Sequence, residues 1–134
     1  MTASKPRHPS KPRHPAASKP EAAVLREIMI AIGAEPGVLL MRNQVGAVER
    51  FDERTNSTRV ERYGLGVGSA DLVAILAPSG RWFCLEVKSA AGTVEPEQTK
   101  WHERARGFGA FVAVVRSADE ARAALARARR GELS

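Results

Sequence analysis

The sequence predicts an α/β fold built around a mixed sheet. Three observations carry that expectation: two apolar strands joined by a tight turn, a strand–helix–strand step after them, and helical periodicity at both ends of the folded region. Residues 72–76 (Leu-Val-Ala-Ile-Leu) and 82–88 (Trp-Phe-Cys-Leu-Glu-Val-Lys) flank the turn cluster Pro78-Ser79-Gly80, which makes them an antiparallel pair. Residues 110–115 (Ala-Phe-Val-Ala-Val-Val) form a continuous apolar run of the kind covered on both faces. One helix separates that run from the second strand of the pair, so the two strands it joins run parallel through a right-handed crossover.

The elements follow in order. Residues 4–9, Ser-Lys-Pro-Arg-His-Pro, recur unchanged at 10–15, and Ser18-Lys19-Pro20 opens a third copy. Proline at every third position blocks helix and sheet, so residues 1–17 are expected to be a disordered basic tail and 18–134 a single domain. Ser18-Lys19-Pro20-Glu21 has the form of a capping box and starts a helix ending near Gly33, with Val24, Leu25, Ile28, Met29 and Ile32 as its apolar stripe. Residues 38–43 read as a first strand, buried on both faces at its start. Residues 47–53 and 59–63 read as a hairpin excursion turning at Thr55-Asn56-Ser57. Gly64, Gly66 and Gly68 precede an apolar strand rather than a helix. A nucleotide phosphate loop is therefore excluded, and the glycines are expected to admit close approach of a nucleic-acid backbone or a neighbouring strand. A second helix runs from Pro96 to Arg106 and stops at Gly107. A third, capped by Ser117-Ala118-Asp119-Glu120, runs to about Arg130.

Composition narrows the function. Of 21 basic residues five lie in the first twenty positions, where there is no acid, leaving 16 against 15 acids in the rest. The positive charge is thus mostly a property of the tail, and it points to polyanionic partners. Cys84 is the only cysteine, which excludes an internal disulfide and a zinc–thiolate site. No apolar run has the length of a membrane span, no hydrophobic leader is present, and no organic-cofactor motif stands out, so a cytoplasmic protein without membrane or organic cofactor is expected.

The chemistry concentrates at Asp71, Glu86 and Lys88. Alternation along the second strand puts Glu86 and Lys88 on one side, and a turn centred near Ser79 brings Asp71 opposite residues 86–88. Two carboxylates that close repel unless a cation or a proton lies between them, and hard oxygens select Mg²⁺ or Mn²⁺ over zinc. On these residues alone, a buried salt bridge of Lys88 with Asp71 or Glu86 remains an equal alternative. Glu27, on the flank of the first helix, reads as a solvated acid paired with Arg26 or Lys19.

Gly68-Ser69-Ala70-Asp71, Glu86-Val87-Lys88, Gln98-Thr99-Lys100-Trp101 and the segment Arg42-Asn43-Gln44-Val45-Gly46 together resemble the PD-(D/E)XK nucleases, and within them the VRR-NUC (virus-type replication-repair nuclease) branch of stand-alone phage and bacterial type. Ala70 stands where the superfamily name has proline. The resemblance implies a restriction-endonuclease-like αβββαβ core followed by a C-terminal helix. It further implies hydrolysis of DNA phosphodiesters with Mg²⁺ or Mn²⁺ held by Asp71, Glu86 and the Val87 carbonyl. Lys88 takes the place of the catalytic lysine, Gln98 that of a glutamine near the site, and Glu27 that of the acid on the first helix that helps hold metal. Short members of this kind look like homodimers acting on four-way DNA junctions, which implies a role in DNA repair. A monomeric nicking or flap nuclease and a non-catalytic nucleic-acid-binding module on the same fold are the alternatives.

Overall fold

A computed structural model describes residues 2–4 and 19–134 of the chain. The repeated basic tail lies outside these residues, apart from Ser4. The element order is α1 (Glu21–Gly33), β1 (Val38–Arg42), β2 (Gly46–Asp52), β3 (Ser57–Tyr63), β4 (Leu72–Leu76), β5 (Arg81–Val87), α2 (Pro96–Gly107), β6 (Phe111–Val115) and α3 (Ala118–Arg129). Four strands make one mixed sheet in the order β1-β4-β5-β6, antiparallel at the first two junctions and parallel at the third. This is the αβββαβ core with a C-terminal helix, interrupted by β2 and β3, which pair only with each other as a separate two-stranded sheet.

Period-two alternation divides the central strands between two cores. Leu72, Ala74, Leu76, Phe83, Leu85 and Val87 face one side and pack under α1 and α3. Val73 and Cys84 face the other, with Val112, under Trp101 and Ala105 of α2. Burial pushes the Cys84 thiol up to about 11, so this cysteine is a small core residue.

Three expectations need correction. The start of β1 is not buried on both faces: Val38 and Leu40 pack against the α1 side, but Leu39 is 61% exposed. β1 is an edge strand, and α2 on the crossover from β5 to β6 covers the opposite half of that sheet face. The first helix is N-capped by Pro20 with no side-chain bond, and Ser18 lies outside the described residues. The reciprocal half of the α3 box is also absent. Ser117 accepts from the Glu120 N–H, while the Glu120 carboxylate accepts from Arg116 rather than from Ser117.

Candidate functional site

The site is set by the register of β4 on β5. Leu72 pairs with Leu85, so the next position outward along each strand puts Asp71 across from Glu86. The Val87 N–H donates to Asp71 Oδ2 at 2.7 Å, closing the junction where a ladder bond would otherwise end. Glu86 is 1% exposed. Burial, opposed by the Val87 N–H and joined by the negative charges of Glu86 and Glu21, raises the Asp71 carboxyl from 3.8 to about 6. The pair is therefore arranged to hold a proton or a cation between its members.

The first turns of α2 fix the Glu86 carboxylate. Glu95 and Gln98 form a capping box, in which Gln98 Oε1 accepts the Glu95 N–H at 2.8 Å. With the amide oxygen committed to the cap, Gln98 Nε2 faces the sheet and donates to Glu86 Oε1 at 2.6 Å. One turn on, His102 Nε2 lies 3.3 Å from Glu86 Oε2, and His102 is itself 3% exposed. A carboxylate only accepts, so that nitrogen carries the hydrogen. Lys88 lies just past the end of β5, held by its N–H to the Val115 carbonyl at 3.1 Å. Its Nζ is 3.7 Å from Glu86 Oε1 with both side chains buried, so the buried ion pair of Lys88 with Glu86 that the sequence left open is present, at a separation beyond a hydrogen bond. Arg116 donates to the carbonyls of Ser89 and Gly92 and fixes the loop that follows Lys88.

The glycine-rich segment is the other wall. Asn43, just beyond β1, donates through Nδ2 to Ser69 Oγ and the Ala70 carbonyl, and its Oδ1 accepts the Leu65 N–H. One side chain thus ties both ends of the segment to the sheet. Gly68 comes close to the N-terminus of α2, and Gly64 to the backbone of Gln44 and Val45 between β1 and β2. A Cβ on Gly68, whose φ is +82°, would sit 2.2 Å from the Glu97 carbonyl oxygen. Between the walls lies a cleft of about 410 Å³ lined by Arg42, Asn43, Gly68, Ser69, Asp71 and Gln98.

Of the residues singled out in the sequence, Asp71, Glu86, Val87, Lys88 and Gln98 come together here. Val87 takes part through its backbone, its side chain lying in the core on the other face. Glu27 does not join them: it pairs with Lys19 at 2.6 Å and its side chain is 46% exposed. The α1 acid whose charge reaches Asp71 is Glu21. Six residues separate the two, about 120° around the helix, so both cannot face the cleft. Glu21 is four residues before Leu25, which lines the cleft, and that spacing was its signal. His102 was likewise signalled only by standing four residues after Gln98.

Among the described residues no three His, Cys, Asp or Glu side chains converge to enclose a metal ion. Asp71, half-buried, and Glu86, buried, instead offer hard carboxylate oxygens beside the Val87 backbone. That set suits Mg²⁺ or Mn²⁺, which keep several waters and take a phosphate oxygen, and does not suit zinc.

The family model for the VRR-NUC domain matches residues 21–119. No curated protein and no solved structure matches the chain significantly.

Proposed function

The chain belongs to the VRR-NUC family of nucleases, and from that premise we propose that it is a Mg²⁺- or Mn²⁺-dependent DNA endonuclease acting on branched DNA as a homodimer. The observation that carries this reading is the pair Asp71 and Glu86, facing each other across β4 and β5 with Asp71 raised to about 6. Asp71, Glu86 and the Val87 carbonyl would hold the ion. A divalent cation there supplies a lowered pKa for a coordinated water and offsets charge on the phosphate. Lys88 orients the attacking water and stabilises the negative charge that builds on the phosphorus oxygens. Gln98 keeps Glu86 aimed, and Arg42 in the cleft contacts backbone phosphates without reading sequence.

Two uncovered apolar surfaces support the homodimer. Leu39, Ile75 and Trp82 align across β1, β4 and β5 on the sheet face that α2 leaves open, with Trp82 46% exposed. On the β2–β3 hairpin, Phe51 and Val60 are 62% and 58% exposed. Patches of this kind mark contacts with other molecules. A two-fold assembly gives two sites for the two strands cut at a four-way junction. Among the described residues no helix is long and apolar enough to cross a membrane.

The test is nicking of plasmid and of a four-way junction with Mg²⁺ or Mn²⁺. Glu86→Ala is expected to fall to background and Lys88→Ala by about 10²–10⁴-fold, the range for a proton-handling group. Cutting equal to wild type in both variants would assign the activity to a contaminant and leave a DNA-binding module.

A further inference from the structure

His102 is a buried imidazole in a place where packing asks for none. Its neighbours on α2, Trp101 and Ala105, pack on Val73 and Cys84, an apolar surface that a leucine would serve as well. The exception to that surface is Glu86, whose Oε2 lies 3.3 Å from His102 Nε2. With Gln98 on Oε1 at 2.6 Å, the carboxylate receives one donor on each oxygen from residues one helical turn apart. Two donors on two oxygens fix the plane of a carboxylate, where one would leave it free to rotate about its last torsion. Each oxygen still has a second lone pair to offer.

We infer that His102 is a positioning residue: it holds the Glu86 carboxylate in the orientation from which that carboxylate binds a divalent cation. The inference rests on the metal reading proposed above. Groups that orient metal ligands in this way typically change affinity by about 10–100-fold when removed. His102 itself touches neither the ion nor the DNA. It acts with Gln98, so α2 delivers its effect on the site through Glu86.

The experiment measures Mn²⁺ binding to the full chain without DNA, by titration calorimetry and by the loss of the free-Mn²⁺ electron-spin signal, together with melting in EDTA. The proteins are wild type, His102→Leu and His102→Gln, the last placing an amide N–H near the position of Nε2. His102→Leu is expected to bind Mn²⁺ about 10–100-fold more weakly and to melt somewhat lower because the buried Glu86 Oε2 loses its donor, and His102→Gln to recover most of the affinity. A His102→Leu protein that binds within about fivefold of wild type, well short of that range, overturns the inference. So does equal weakening in both variants accompanied by lower melting, which would reduce His102 to a space-filling role. A wild-type protein that takes up no Mn²⁺ removes the metal reading itself, a result seen before any variant is compared.

Discussion

Asp71 sits where its protonated form is favoured, and this makes a prediction about stability in the absence of metal. Its carboxyl titrates near 6 in the folded chain against 3.8 unfolded, because burial and then the facing acids outweigh the Val87 N–H. Between those values the folded state binds more protons than the unfolded state. Asp71 therefore lowers stability as pH rises from about 4 to about 6, and the loss is complete above that window. Asp71→Asn, which keeps an oxygen for the Val87 N–H, should melt above wild type in EDTA at pH 7–8. The difference should shrink to nothing as pH falls toward 4, while cleavage is abolished throughout. A variant no more stable than wild type at pH 8 would contradict the electrostatic reading of the pair. At this scale the Asp71–Glu86 encounter was legible because one short turn fixes hairpin register and so which residues face each other. Glu21 and His102 were not: whether a polar residue on a helix faces a cleft or solvent depends on the rotation at which the helix docks, and Glu27 and Glu21 are equally acidic in sequence.

α2 is the element that turns a pair of carboxylates into an ordered site, since its cap, Gln98 and His102 all bear on one geometry. Its position depends on Gly68, the closest approach between the glycine-rich segment and the helix. Gly68→Ala adds a Cβ 2.2 Å from the Glu97 carbonyl at a φ of +82°, so the helix N-terminus must move. We expect a loss of about 1–3 kcal/mol in denaturant unfolding and a larger proportional loss of cleavage, because Gln98 and His102 move with the helix. Full activity in Gly68→Ala would show that the α2 placement is not required. The elements themselves were readable from periodicity, including the β2–β3 hairpin, which starts and ends within two residues of its expected limits. The exposure of Leu39 was not readable, because an apolar strand looks the same in sequence whether it lies at the edge or the centre of a sheet.

For the whole molecule, the homodimer proposed above would meet through the open face across β1, β4 and β5 and the apolar hairpin. Leu39→Lys combined with Trp82→Lys should leave the chain monomeric by light scattering and still folded, since both side chains are already largely exposed. It should also separate the paired incisions of a junction into independent nicks. A dimer unchanged by both substitutions would move the interface to another surface. Removing residues 1–17 takes away Lys5, Arg7, Lys11 and Arg13. For every phosphate those cations neutralise, the dependence of DNA affinity on salt should flatten by about 0.9 in the log–log slope. An unchanged slope would mean that the tail does not touch DNA.

The most direct measurement is the anomalous scattering of Mn²⁺ in crystals of the full chain. A single strong peak within coordination distance of Asp71, Glu86 and the Val87 carbonyl, with waters filling the remaining positions, is the expected result. Crystals saturated with Mn²⁺ that show no ion between those residues, in a protein that nevertheless cuts DNA, would mean that the chemistry is done elsewhere.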